Sequence, residues 1–471
     1  MSMGSGADTI FARASGAGRA GVSVFRLSGS RAFEIAKTLS GRLSGPKRAS
    51  LRAIREVSGD LIDEGLVILF KGPSSFTGED VAEFHLHGSA AVEAALYEAL
   101  AALGARPAEA GEFTRRALLS GKLDLAEVEG LADLLGAETK RQRMQALGQA
   151  GGRLSAFAEG WRNRLLAIMA PLEADIDFPD EEDIPAAIAA RAGPEIDALI
   201  AELKRHAGAA SAAKAIREGV KVAIIGAPNA GKSSLLNRLA GSERAIVSEA
   251  PGTTRDIIEA RLDLGGMLVS LFDTAGLREK SADLIEIEGM RRTRIAAAEA
   301  DIRILMIDVS RETFQRSSVS RETKAGEIQP EAVENPEYGL LREGDFLVFS
   351  KIDLNKADLN TGRADRVAPG LTALGLSVKT GEGVEALLAG LTAAVAGRCR
   401  SDDAILTRAR HAEAVGRAIA HLEAALSGLA ASPELAAEDV RLAARALGGI
   451  TGAVGVEDVL GAIFSSFCIG K

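Results

Sequence analysis

The sequence predicts a multidomain α/β protein. A domain with a mostly parallel sheet and helices on both faces is inserted into an α-helical bundle domain, behind a smaller N-terminal α/β domain. Three observations carry this expectation. The apolar run Val220-Lys-Val-Ala-Ile-Ile225 leads through Gly226-Ala-Pro-Asn-Ala-Gly-Lys-Ser233 into helix-like text from Ser234 to Ala240, the strand–loop–helix order of a phosphate-binding P-loop. Ala-, Leu- and Glu-rich text with few β-branched residues stands on both sides of that domain. Short strand-like runs separated by polar loops fill residues 1–122.

Length and charge bound what the chain can be. Its 471 residues suffice for about three domains, each with its own core. Hydrophobic residues make up 47% and charged residues 26%, as in ordinary globular chains. The formal net charge is −9, although residues 1–122 hold 15 Lys/Arg against 13 Asp/Glu. That excludes a global basic field for nucleic acid, so any RNA contact is a local patch or a partner's contribution. Cys399 and Cys468 are the two cysteines, too few for a disulfide framework and suited to a reducing cytosol. No unbroken apolar stretch approaches the roughly 18 residues of a membrane span, and the start lacks a basic-then-apolar secretory layout. A cytoplasmic protein with no membrane partner is expected.

In chain order, Gly21–Leu27 and Gly65–Phe70 read as strands and Ala90–Leu103 as a helix. Ser75-Phe-Thr-Gly-Glu-Asp80, His85-Leu-His-Gly88 and Gly111-Glu-Phe-Thr-Arg-Arg116 carry polar and charged side chains where simple turns need only Gly, Pro or Asn. His85 and His87 alternate along a strand and share a face; with no Cys or third His nearby, a structural role is preferred to a metal site. Val415, Ile419, Leu422, Leu426 and Leu429 draw one apolar stripe down a helix, the core face of a bundle. The acidic run Asp175–Asp183 lacks the Gly-centred spacing of a calcium loop and reads as a solvated helix-to-loop junction.

The inserted domain carries the chemistry. In a P-loop, consecutive backbone N–H groups from Asn229, Ala230, Gly231 and onward through Ser234 face the phosphates, and the helix N-terminus adds partial positive charge. Lys232 reaches the β- and γ-phosphates and the Ser233 hydroxyl holds Mg²⁺. Strands are predicted at Leu268–Phe272, Ile302–Ile307 and Phe346–Phe349. Asp273-Thr274-Ala275-Gly276 follows the first; its carboxylate holds Mg²⁺ through water and its Gly N–H meets the γ-phosphate. Between them Gly252-Thr-Thr-Arg-Asp256 brings the Thr254 hydroxyl to the metal, in a loop released when the γ-phosphate leaves. Ser350-Lys351-Ile-Asp353 chooses the base: the Asp353 carboxylate accepts both donors of guanine's N1/N2 edge, which adenine lacks. The Ser377-Val378-Lys379 turn supports the guanine oxygen. The expected ligand is therefore GTP.

Two positions depart from G-protein patterns. Asn usually stands where this chain has Ser350, and a hydroxyl cannot replace both ends of a carboxamide, which predicts weaker nucleotide binding. Leu277 occupies the place of a water-orienting glutamine. Glu286, Glu279 or Glu288 is the carboxylate expected to take that role. The polar segment from Glu312 to about Tyr338 repeats Val-Ser-Arg-Glu-Thr and suits an exposed loop. Phe464–Lys471 ends in an apolar run with a thiol, which reads as a terminus packed into a site rather than a prenylation signal.

These residues resemble the tRNA-modification GTPases of the MnmE (TrmE) family across nearly the whole chain. The resemblance rests on Phe25-Arg-Leu-Ser-Gly29, Phe76-Thr-Gly-Glu-Asp80, Gly111-Glu-Phe-Thr114, Gly121-Lys-Leu-Asp-Leu125, Ile176–Glu182, the GTPase motifs and Phe467-Cys-Ile-Gly-Lys471. It implies three domains in four segments: an N-terminal folate-binding and dimerisation domain (1–122), a helical domain (123–217 and 399–471), and a Ras-like G domain (218–398). It further implies a homodimer binding 5-formyltetrahydrofolate or a related tetrahydrofolate through Arg26, Glu83, Lys122 and Lys471. A flavoprotein partner of the MnmG type, carrying FAD, and tRNA as substrate are implied too, with an aminomethyl-type group placed on C5 of the wobble uridine. The resemblance also implies that K⁺, held by Asn229, Ser248, Ala250 and Thr253, drives G-domain pairing, and that Glu286 is the family's water-orienting glutamate. Cys468 is a candidate for chemistry. A ribosome-assembly GTPase is the alternative, but it usually appends a basic RNA-binding domain that this acidic text does not supply.

Overall fold

The computed structural model describes residues 8–177, 187–246, 259–273, 295, 297–309, 336–354, 370–400, 403–429, 431–453 and 470. The chain divides into two compact units. One comprises Met1–Leu135, Leu147–Lys204 and Arg410–Lys471; the other comprises Gly136–Ala146 and Arg205–Ala409.

The first unit opens with a six-stranded sheet of β1 (Ile10–Arg13), β2 (Ala20–Ser28), β3 (Ser50–Arg55), β4 (Leu61–Phe70), β5 (Val81–Gly88) and β6 (Arg106–Pro107). Its order is β3-β4-β5-β2-β1-β6, antiparallel throughout except for the β1–β6 pair. Side-chain alternation gives the sheet two unlike faces. Along β5, Phe84 and Leu86 are buried on one side, while Glu83, His85 and His87 take the other. Helices α1 (Ala32–Ser40) and α2 (Ala90–Ala102) cover the apolar face, where Ile35, Leu39, Leu96 and Leu100 join Phe11, Phe25, Leu27, Val67 and Phe84 in one core. Each such side chain contributes about 1.5–3 kcal/mol when fully buried. Ser89 starts α2 by accepting from the Val92 N–H, as an N-cap should.

Helices α3 (Glu112–Leu119), α4 (Leu125–Leu135), α5 (Lys140–Ala150), α6 (Arg153–Asp177), α7 (Ala187–Gly208), α11 (Ala409–Gly428) and α12 (Pro433–Thr451) form the helical text flanking the inserted domain. The predicted stripe lies on α11: Val415 and Leu422 are buried, Ile419 and Leu426 half-buried, and Ala414, Ala418 and Ala425 complete the face. Leu429 is buried just past its end. A buried charge cluster ties three of these helices. Arg410 of α11 gives Glu129 of α4 two hydrogen bonds of 2.6 Å and donates to the carbonyls of Gly449 and Ile450 in α12. His411 Nε2 lies 2.9 Å from the same carboxylate.

The second unit holds the other sheet: β7 (Val220–Ile225), β8 (Glu259–Asp263), β9 (Leu268–Asp273), β10 (Ile302–Asp308), β11 (Phe346–Ser350) and β12 (Thr372–Leu376). The order β12-β11-β10-β7-β9-β8 is parallel apart from the β8–β9 hairpin. Both faces are covered. Val222, Ile224, Ile304 and Val348 meet α9 (Lys232–Ala240) and α10 (Val384–Arg398) on one side, and Ala223, Ile225, Leu305 and Leu347 pack beside Ala297 and Ala300 on the other. Such continuous Val/Ile/Leu runs are what a parallel strand buried on both faces requires. This unit also contains α8 (Ala210–Glu218), held where Gln145 Nε2 donates to the Ala213 carbonyl and Gln142 Nε2 to that of Arg217.

Candidate functional site

The parallel sheet switches direction beside β7, with β9 on one side and β10 on the other. Ligands of open α/β sheets bind outside the strand carboxyl ends at such a point. The P-loop stands there because its backbone demands it. At Gly226, with φ +139°, a Cβ would sit 2.4 Å from the Met306 carbonyl oxygen, so only glycine fits. Asn229 takes a left-handed φ of 68°, which Asn tolerates better than most residues, and its side chain is exposed. Gly231, also left-handed, launches α9. Lys232, 6% exposed, donates to the carbonyls of Gly226 and Ala227 at 2.6 and 3.0 Å, which curls its ammonium over the loop. Ser233 Oγ donates to Asp273 Oδ2 at 2.5 Å. The hydroxyl and the carboxylate expected at one metal thus meet, although they come from α9 and the end of β9.

The residues expected to recognise the base gather at the ends of β11 and β12. Ser377 Oγ donates to Asp353 Oδ1 at 2.6 Å and receives the Thr380 N–H at 3.2 Å, which orients the carboxylate. Lys351, at φ 62°, pairs with Asp308 at 2.7 Å. Ser350 Oγ donates toward the carbonyls of Ala230 and Ile307. The Val378 carbonyl accepts from Arg238 of α9 at 2.7 Å, and Lys379 is exposed. Ala230 is buried and Ser234 exposed within the same cradle. Ser248, Ala250, Thr253, Thr254, Thr274, Ala275, Gly276, Glu286, Cys468 and Lys471 lie outside the described residues, as do Glu279 and Glu288.

A second constellation occupies the open face of the antiparallel sheet. Register aligns Ala12, Arg26, Glu83 and Ile68 across four strands. Arg26 binds Glu83 Oε1 through Nε and Nη2 at 3.0 and 2.9 Å. Its guanidinium lies 5.2 Å from the Phe76 ring centroid and 5.8 Å from that of Phe113. The Thr114 hydroxyl is buried beside them in sequence and finds no protein partner. Lys122 is exposed next to Gly78, where a Cβ would come within 3.4 Å of its side chain. Gly470 is buried against β1's end: a Cβ there would lie 1.9 Å from the Arg13 carbonyl oxygen. His85 lies 3.4 Å from Glu83, and His87 pairs with Asp63 at 2.8 Å.

Sequence reasoning missed several partners. Arg116 links Glu79, Glu112 and Asp8, and Arg106 adds a second pair of bonds to Glu112, so the Phe76–Asp80 loop is clamped to α3. Burial alone would raise the Glu112 carboxyl, but Arg106 and Arg116 hold it down at about 2. Asp308 and Arg238, which anchor the base loops, were also missed. A charged residue at a strand's carboxyl end is the signal that points to Asp308; for Arg238 there is none.

Two family models match: residues 9–122 fit the GTP-binding protein TrmE N-terminus and residues 125–468 the MnmE helical domain. Among curated relatives, the tRNA modification GTPase MnmE of Caulobacter vibrioides is 49% identical over 466 residues, covering 98% of this chain and 100% of that protein. Those of Parvibaculum lavamentivorans and Paramagnetospirillum magneticum are both 48% identical, with the same coverage. Among solved structures, Aquifex aeolicus Era bound to GDP·AlF4⁻ matches at 24% identity and a TM-score of 0.27, covering 37% of this chain and 56% of that one. A GTPase strand-end site joined to these two matched regions has one consistent assignment: the chain belongs to the MnmE family of tRNA modification GTPases.

Proposed function

We propose that the chain is the GTP-hydrolysing component of a complex that modifies C5 of the wobble uridine, position 34, of tRNA. The complex adds an aminomethyl or carboxymethylaminomethyl group together with an FAD-carrying flavoprotein of the MnmG type. The observation that carries the nucleotide half is the Ser233–Asp273 pair beside a Lys232 ammonium already turned over the loop. A hydroxyl and a carboxylate oxygen are the hard donors Mg²⁺ prefers. Mg²⁺, when bound, neutralises charge on the transferring phosphoryl group. Lys232 binds the β- and γ-phosphates, Asp353 orients the base, and Thr254 and Glu286 close the site around the attacking water.

The exposed carboxamide of Asn229 supports the K⁺ assignment, shared with Ser248, Ala250 and Thr253. For the N-terminal sheet, Arg26 between two aromatic rings and the unpartnered Thr114 hydroxyl suit a flat, anionic heterocycle such as 5-formyltetrahydrofolate. Leu51 and Leu66, register partners on β3 and β4, are 60% and 40% exposed, an apolar strip that a second copy would cover in a homodimer. Nucleoside analysis of tRNA from cells lacking this gene tests the proposal. Absence of the wobble-uridine modification is expected; an unchanged nucleoside profile overturns it.

A further inference from the structure

Ser350 ends β11 and is 1% exposed. Its oxygen lies 2.7 Å from the Ala230 carbonyl oxygen and 3.2 Å from that of Ile307. Both neighbours only accept, and a hydroxyl has a single hydrogen to donate. The shorter bond takes it to Ala230, a P-loop residue 120 positions earlier in the chain. Guanine's N7 and O6 are acceptors and call for donors. Ser350 has none left for them.

We infer that Ser350 is a positioning residue that fastens the phosphate loop to the base loop and makes no hydrogen bond to guanine. This rests on the guanine-nucleotide reading of the site. Base choice then falls to Asp353 at the N1/N2 edge and to the 377–379 turn. A neighbouring bond shares the fastening: Arg238 of α9, the helix that follows the phosphate loop, holds the Val378 carbonyl at 2.7 Å. Phosphate grip and base grip are therefore mechanically joined, and loosening the joint weakens the nucleotide whatever base edge it presents.

The test is displacement of a fluorescent guanine nucleotide from the full-length protein, in Mg²⁺, by GDP and by 7-deaza-GDP, whose base has CH in place of N7. The wild type is expected to bind the two within about twofold of each other. Ser350→Ala is expected to weaken both by roughly five- to tenfold, the loss of one buried hydrogen bond, with their ratio unchanged. A wild type that binds 7-deaza-GDP fivefold or more weakly than GDP would overturn the inference, because a donor must then reach N7. So would a Ser350→Ala protein that binds both as tightly as the wild type. If that variant does not fold, the wild-type ratio still decides. Failure of the wild type to bind GDP at all would sink the underlying reading instead, and is told apart by that first titration.

Discussion

The two six-stranded sheets place their chemistry in different parts of the architecture. The β7–β12 sheet is covered on both faces by apolar clusters, and its expected functional groups stand at the carboxyl ends of the strands. Much of that site is main chain: a glycine-rich turn and a helix start. The β1–β6 sheet has α1 and α2 on one face, and the other, partly covered by Phe76 and by Phe113 of α3, carries the register partners Arg26 and Glu83. Its site is made of side chains held by strand pairing. Topology decides which surfaces remain for function, and the two kinds of site should fail differently.

The largest expected effect breaks the main-chain site through Lys232, the ammonium proposed to bind the phosphates. Lys232→Ala removes an ammonium that donates to the loop carbonyls of Gly226 and Ala227. GTP hydrolysis is expected to fall by about three orders of magnitude, the scale of losing one charge on the transferring phosphoryl group. The thermal midpoint should move little. Arg26→Ala is the opposite case, because it leaves Glu83 half-buried on the sheet without its guanidinium. It should lower the midpoint by several degrees while sparing GTP hydrolysis. Scanning calorimetry with phosphate release separates the two. A Lys232→Ala protein that loses stability as Arg26→Ala does would erase the distinction.

The same contrast governs how much could be read beforehand. Residues 226–233, 350–353 and 377–379 are contiguous runs, and each carries its expected role in adjacent letters. The three early elements named from patterning, two strands and a helix, also stand where expected; β2, for example, spans Ala20–Ser28 around the predicted Gly21–Leu27. The face site was legible only through family resemblance. Alternation says that Arg26 points away from Phe25, but only register says that Glu83 is opposite it. Long-range polar partners are invisible for the same reason. Glu129 and His411 lie 282 positions apart, and Ser350 and Ala230 lie 120 apart. A helix stripe tells which side of α11 is buried, not that a charged cluster caps it.

A side-chain-built unit should also be more sensitive to acid. Burial alone would raise the Glu129 carboxyl, yet hydrogen bonds from His411 and Arg410 bring it from 4.5 down to about 2. A depressed carboxylate lends stability above its unfolded pKa and loses it as pH falls through the folded one. The window is therefore pH 4.5 to 2. The loss is on the order of 3 kcal/mol for a group this buried. Amide exchange in α4 and α12 should accelerate across that window, and Glu129→Gln should show the faster exchange already at neutral pH. Exchange in those helices that does not change between pH 4.5 and 2 would rule out the cluster as their clamp.

The smallest effect tests the face site most finely. Phe76 packs with Ile10, Ala108 and Phe113, and its ring also faces the Arg26 guanidinium. Phe76→Leu keeps most of the apolar volume and removes the ring's negative face. A partly exposed cation–π contact is worth about 0.5–1 kcal/mol, so 5-formyltetrahydrofolate affinity should drop by roughly two- to fivefold. Hydrolysis of GTP by the isolated turnover assay should not change, since no P-loop group depends on this ring. Calorimetric titration of folate into both proteins reads the difference directly. Equal affinities would mean that the ring only fills space beside Ile10, and that Arg26 meets its ligand through hydrogen bonds alone.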